Sequence, residues 1–228
     1  MNRLAVVTGA SRGLGRAIVD ELSRAGWAVI AVVRENPANI EWPDTTTVVV
    51  ADVGQDAVAP ALLAAIGDRP LDLIVNNAAV GAPIVGVESA EVDELLHAVN
   101  VNVGGPFRVI KGLLPNLRRA PNPTIVNVSS RLASLTGQAR GDFAHVGGSH
   151  AYRVSKAAQN MLTIALANEL AGQVRCCAVH PGALMTDMAL ADASKPPEQA
   201  ARELLELVDS PWEDHPRFFS LGAHDLDW

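Results

Sequence analysis

The chain's only tyrosine, Tyr152, stands four residues before Lys156 in "HAYRVSKAAQNM". Positions four apart on a helix share a face, so a phenol and an ammonium spaced this way look into the same crevice. A free phenol has a pKa of about 10, too high to exchange protons readily near neutrality. A unit charge about 4 Å away at an effective dielectric near 20 contributes roughly 4 kcal/mol, and about 1.4 kcal/mol moves a pKa by one unit. After partial screening, the spacing predicts a phenol depressed by about two to three units and usable as an acid. The bland alternative is a tyrosine satisfied at a surface and a lysine that solubilises its helix. Bulk alone is a poor reason for the tyrosine, since four tryptophans and four phenylalanines already supply it.

A second group of residues suits an anion. "TGASRGLG", Thr8 to Gly15, follows the first apolar run and opens into a helical pattern. Glycines there let the turn tighten and let a pyrophosphate approach main-chain N–H groups at a helix N-terminus. The spacing is Gly-x-x-x-Gly-x-Gly, not the commoner Gly-x-Gly-x-x-Gly. Such glycines alone often mark only a tight turn, but their place at the start of an alternating βα chain favours nucleotide binding. At the end of the second run, "AVIAVVREN", Val33 and Arg34 stand where an acidic residue would accept from the ribose of NAD. Arg34 with Arg12 can clamp a 2′-phosphate, which points to NADP over NAD. Otherwise both are solvated surface charges and Glu35 serves the ribose.

Further polar residues close the predicted strands. Asp52 can accept from an adenine amino group or cap the helix after it. Asn76, in "NNAA", can tie loops together beside a ligand crevice or simply form a turn. Ser129 and Ser130 end "TIVNVSS" at the carboxyl edge of a sheet, where doubly wound folds bind ligands. Asn102 in "NVNVGGPF" reads most simply as a helix cap. His145, His150 and His180 lack metal-ligand spacing, so no metal is expected. The absence of a Gly-x-Ser-x-Gly elbow lowers the case for a hydrolase.

These residues need strand ends to hold them. "LAVV", "AVIAVV", "TTVVVA", "LDLIVN", "TIVNVS" and "VRCCAVH" read as strands, nearly continuous in hydrophobicity, as in a parallel sheet buried on both faces. "LGRAIVDELSRAG", "DAVAPALLAAIG", "SAEVDELLHAV", "GPFRVIKGLLPNLRR" and "YRVSKAAQNMLTIALANELAG" carry apolar residues at helical spacing. The expected fold is α/β: a single-domain, doubly wound parallel sheet of Rossmann type, residues 1–228, with helices on both faces. The segment 131–148 reads as a long loop, and "ASKPPEQ" and "SPWEDHPR" as Pro-rich loops.

Composition excludes several classes. A formal net charge of −7 with no basic cluster argues against nucleic acid. No apolar run is long enough to span a bilayer, and "MNRLAVVTGAS" lacks the hydrophobic region of a secretory signal, so no membrane is expected and the cytoplasm is the default. Cys176 and Cys177 are adjacent, too close in the chain for a usual disulfide.

"TGASRGLG", "NNAA", "NVSS", Tyr-x-x-x-Lys and "HPG" occur together and in this order, and over essentially its whole length the chain resembles the short-chain dehydrogenase/reductase family. "YRVSKAAQNM", "HPGALMTDM" and the terminal "DW" resemble its carbonyl-reductase-like branch, which includes the C-factor and sniffer proteins. The resemblance implies an NADP-dependent oxidoreductase passing a hydride between nicotinamide and a carbonyl or alcohol. Tyr152 would be the acid/base, Ser130 would hold the carbonyl, Lys156 would also grip the nicotinamide ribose, and Asn102 would position a water of the proton relay. Gly9, Ser11, Arg12, Gly13 and Leu14 would line the pyrophosphate and adenosine side. Asp52 and Val53 would lie at adenine, Asn76 and Ala78 near the ribose, and Pro181, Gly182, Leu184 and Thr186 at the nicotinamide carboxamide. Helices around Phe107 and Met161 would form the dimer face of a homodimer or homotetramer.

Departures accompany it. Ala79 replaces the usual glycine of Asn-Asn-Ala-Gly, and Ser130 and Tyr152 are 152 − 130 = 22 positions apart, a wide gap that can reshape the substrate pocket or hinder oligomerisation. The C-terminal region is short, leaving little to cover the substrate side. Leu132, Leu135, Phe143, His145, Leu184 and Met188 would wall a pocket for an apolar carbonyl compound. A nucleotide sensor or signalling protein on the same fold is the rival reading. An epimerase or dehydratase would need a substrate domain for which the chain has no room.

Overall fold

The structure, a computed structural model, describes residues 2–35, 40–186, 193–211 and 216–228. Among them, strands β1 (Leu4–Thr8), β2 (Ala28–Val33), β3 (Thr46–Val50), β4 (Leu73–Asn76), β5 (Thr124–Val128), β6 (Arg175–His180) and β7 (Arg217–Ser220) form one parallel sheet. Their order is β3-β2-β1-β4-β5-β6-β7. β1 and β4, neighbours in the sheet, are where the winding reverses and where such sheets open a ligand crevice at their carboxyl ends.

The helices are α1 (Gly13–Arg24), α2 (Val58–Ile66), α3 (Val92–Val99), α4 (Gly105–Leu117), α5 (Leu135–Arg140), α6 (His150–Glu169) and α7 (Pro197–Asp209). Strand alternation divides the core into two layers. Ala5, Val7, Ala31 and Val33 face one way and pack with Ile18 and Leu22 of α1 and Leu204 of α7. Leu4, Val6, Ile30 and Val32 face the other way, against Leu62 of α2, Leu113 of α4 and Leu166 of α6. The doubly wound Rossmann-type sheet expected from the apolar runs is therefore present.

Three elements depart from that expectation. "ASKPPEQ", read as loop, runs into α7: Pro196 is its N-cap and Pro197 its first residue, where a missing N–H costs nothing. The four-residue β7 follows the Pro-rich stretch and pairs with β6, extending the sheet by one strand. Part of 131–148 is also helical, as α5. Cys176 and Cys177 are buried and unbridged. Among the described residues no helix is long and apolar enough to cross a membrane.

Candidate active site

β1 delivers the chain into the glycine turn. Gly9 and Gly13 take positive φ, 64° and 53°, which side chains rarely adopt. Space is equally restrictive: a Cβ on Gly15 would lie 2.2 Å from Gly9 O, and one on Gly9 would lie 2.8 Å from Ala78 Cα. Asn77 pins this approach, its Nδ2 donating to Thr8 O at 2.9 Å and Gly9 O at 3.1 Å, while its N–H and that of Ala78 donate to Thr8 Oγ1. The following helix, α1, has Arg12 as its N-cap with no side-chain cap bond and has no acid in its first turn. Its N–H groups and dipole therefore suit an anion. Arg12 and Arg34 are exposed and Ser11 half-buried, whereas Leu14 and Val53 are core residues whose side chains face away from solvent.

The loop after β6 closes on the same turn. Gly182 has φ 98°. Leu184 packs against the core and bridges to Lys195, and a Cβ on Gly13 would fall 3.3 Å from Thr186 Cγ2. Pro181, Gly182, Leu184 and Thr186 thus run from the end of β6 back to the start of α1. Asp52 Oδ1 accepts from Gly54 N at 2.8 Å, so this carboxylate shapes its own turn. Asn76 is 1 % exposed and its Nδ2 donates to Asn127 Oδ1 at 2.9 Å. Its amide ties β4 to β5 inside the core, and the asparagine that reaches the glycine turn is Asn77.

Ser149 caps α6, its Oγ accepting from Tyr152 N at 3.2 Å, and this start places Tyr152 and Lys156 one turn apart facing the end of β5. Ser130, 8 % exposed, accepts from Leu132 N at 3.2 Å and lies close enough to the Tyr152 hydroxyl to pull the phenol's pKa down. Lys156 is 2 % exposed; its Nζ donates to Val128 O at 2.7 Å and Gln159 Oε1 at 2.9 Å and lies 5.9 Å from the centre of the Tyr152 ring. Asn102 sits in a π turn, Asn100–Gly104, between α3 and α4. Its Oδ1 accepts from Val80 N and its Nδ2 donates to Val80 O and Ser155 Oγ, so both donors of its amide are engaged and a water held by this side chain would have to donate to Oδ1.

The electrostatics reverse one expectation. Burial raises the Tyr152 pKa, and the nearby Ser130 offsets this only in part. Burial also pulls Lys156 down to about 7. Desolvation outweighs the attraction that the four-residue spacing predicts, because the phenol is buried and Lys156 is itself partly deprotonated at neutrality. Near pH 7 the phenol holds its proton, as an acid must.

The model of the short-chain dehydrogenases matches residues 3–196. The chain belongs to that family. It is 30% identical over 161 residues to C-signal of Myxococcus xanthus, covering 70% of this chain and 93% of that protein. It is 33% identical over 210 residues to carbonyl reductase (NADPH) 2 of Sus scrofa, covering 89% and 79%. The solved carbonyl reductase Sniffer of D. melanogaster superposes with a TM-score of 0.85 at 23% identity, covering all of both chains.

Side-chain contacts hold the segment after Ser130 and the last residues of the chain in place. Arg153 holds the wide segment after Ser130: its Nη1 donates to Gln138 Oε1 and its Nη2 to Val146 O, both at 2.7 Å, and its Nε to Gly148 O at 3.3 Å. Trp228 stacks on Phe218 at 5.6 Å, and its carbonyl accepts from Thr136 N at 3.0 Å. Leu132 is buried and Leu135 exposed, and Met188 lies outside the described residues. Sequence reasoning missed Asn77, Gln159 and Arg153. Asn77 could have been found, since it adjoins Asn76 at a strand end; the other two reveal themselves only through partners distant in the chain.

Proposed function

We propose that this chain is an NADP-dependent reductase of carbonyl compounds in which Tyr152 is the proton donor. The carrying observation is a juxtaposition: Lys156 Nζ is held 5.9 Å from the centre of the Tyr152 ring, and Ser130 lies close enough to the phenol to lower its pKa, at the sheet edge that also carries the glycine turn. A carbonyl oxygen seated between Ser130 and Tyr152 would accept two hydrogen bonds, polarising its carbon. NADPH, when bound, supplies the hydride. Tyr152 then gives its proton to the nascent alkoxide, and the Lys156 ammonium stabilises the phenolate left behind.

The residues fit the cofactor. The uncapped start of α1 suits the pyrophosphate, and Arg12 and Arg34 stand exposed where a 2′-phosphate would need charge-assisted bonds. Asp52 retains an oxygen for adenine, and the main chain of Leu14, Val53, Asn76 and Ala78 is available where their side chains are not. The carbonyl reductase of Sus scrofa is named for NADPH, in agreement with this choice. Phe107 and Met161, 48% and 57% exposed, would form the homodimer face.

The test is oxidation of NADPH and NADH by the purified protein against aldehydes, ketones and quinones. NADPH is expected to be preferred; a preference for NADH would refute the roles of Arg12 and Arg34. Absence of turnover with every carbonyl would refute the reductase.

A further inference from the structure

Gln159 lies one turn beyond Lys156 on α6 and is 0% exposed. Its Oε1 accepts from Lys156 Nζ at 2.9 Å, while the carbonyl of Val128, the last residue of β5, accepts from the same nitrogen at 2.7 Å. An ammonium has donors only, so the carbonyl end of the amide must face it. That orientation leaves Gln159 Nε2 buried with no hydrogen-bond partner. A leucine or methionine would fill the volume with no orphaned donor, so packing does not explain the residue. The turn that carries it is fixed: Thr163 Oγ1 donates to Gln159 O at 2.9 Å and accepts from Asn127 Nδ2 at 2.9 Å, tying α6 to β5 at this level.

We infer that Gln159 is a positioning residue for the Tyr152–Lys156 pair, its side-chain carbonyl and the last carbonyl of β5 together fixing the Lys156 ammonium on the phenol's side of α6. The inference rests on the reading of Tyr152 as proton donor. With Gln159 removed, a buried ammonium keeps one acceptor and sheds its proton more readily. Other ionisable groups lie on the elements packed against α6: Asp93, Glu94 and His97 on α3, Arg131 in the turn Arg131–Ala133, and Arg175, Cys176, Cys177 and His180 on β6. Lys156 Nζ directs its hydrogen bonds to Val128 O and Gln159 Oε1 and to none of these groups, so none of them substitutes for the amide.

The sequence has three lysines, Lys111, Lys156 and Lys195, so 13C-lysine labelling lets each titrate visibly by NMR in the cofactor-free protein. Gln159→Met should lower the Lys156 titration and Gln159→Glu raise it, each by about one unit or more, the size of one hydrogen bond to a charge. Lys111 and Lys195 should not move. If Gln159→Glu does not fold, Gln159→Asn, which withdraws the carbonyl by one methylene, must lower the titration. A Lys156 titration unchanged in the folded variants overturns the inference. In turnover, Gln159→Met should lower kcat and shift its pH profile while KM for the carbonyl holds; a changed KM alone also overturns it. Because the NMR titration needs no substrate, an inactive wild-type protein would sink the reductase reading while leaving this measurement decisive.

Discussion

Lys156 Nζ lies 5.9 Å from the centre of the Tyr152 ring, with its hydrogen bonds directed instead at Val128 O and Gln159 Oε1. In the proposed reaction the lysine is therefore a neighbour that stabilises a phenolate once formed, not a partner that ionises the phenol beforehand. With its pKa raised by burial, Tyr152 holds its proton near neutrality, as the proposed reaction requires of its acid. Tyr152→Phe keeps the ring and removes the proton. It should lower kcat by about a hundredfold to ten-thousandfold, the range of a positioned general acid, with NADPH affinity retained. Steady-state rates beside a fluorescence titration of NADPH test this; a variant with near-normal kcat would mean another donor.

The same burial makes Lys156 a cost to folding, and the sign can be worked out. Its pKa falls from 10.5 to about 7 on folding, so between those values the unfolded chain binds more protons at this site. Stability from this residue then rises with pH across about 7 to 10.5, and below about 7 the full cost of desolvating the ammonium is present. Lys156→Met should raise Tm by about 4 °C or more at pH 6, the shift roughly 1–2 kcal/mol makes in a chain this long, and by much less at pH 10. Thermal melts at both pH values decide it: an equal gain at each would mean that the lysine does not titrate on folding.

Crowding at the glycine turn gives a separate prediction. A Cβ on Gly15 would meet Gly9 O at 2.2 Å and Asn77 Nδ2 at 2.5 Å, and backbone cannot yield as a side-chain tip can. Gly15→Ala should abolish NADPH binding and lower Tm, whereas Gly26→Ala, where a Cβ would meet nothing within 4 Å, should leave cofactor binding intact despite its φ of 80°. Calorimetric titration of both variants makes the comparison.

Much of this was legible in the chain because period and punctuation coincide. Continuous runs such as "AVIAVV" lie in strands buried on both sides, and β2 spans those six residues. Tyr152 and Lys156 announced themselves through spacing. The direction of the tyrosine's shift was not legible, since desolvation depends on what surrounds the pair and a four-residue spacing reports only proximity. β7 was hidden because "RFFS" is too short to show alternation and gains its place from pairing with β6. α7 was hidden because Pro196 and Pro197 signal a loop and a helix start equally well.

In the proposed reading, Arg34 separates the two nicotinamide cofactors. It follows β2 directly and is exposed, so changing it leaves the core untouched. Arg34→Ala should raise KM for NADPH about tenfold or more, as loss of a charge-assisted bond to phosphate implies, and leave KM for NADH nearly constant. Parallel kinetics with both cofactors test it, and equal changes would locate the 2′-phosphate elsewhere.

Arg153 offers the last prediction, on the wide segment between Ser130 and Tyr152. Its guanidinium joins Gln138, Val146 and Gly148, and Gln138 Nε2 in turn donates to Leu132 O at 2.9 Å. One side chain on α6 thereby ties three points of this segment to the helix. Arg153→Met retains the aliphatic stem and removes the donors, so the segment should loosen while Tyr152 stays capped by Ser149. KM for the carbonyl should rise about tenfold, with kcat within about threefold of normal, because hydrogen bonds to charged groups are worth about 1.5–3 kcal/mol and act here on shape rather than on proton transfer. Limited proteolysis should cut within 131–148 in the variant and spare the parent chain. A loss confined to kcat would instead place Arg153 in the chemistry of its neighbour.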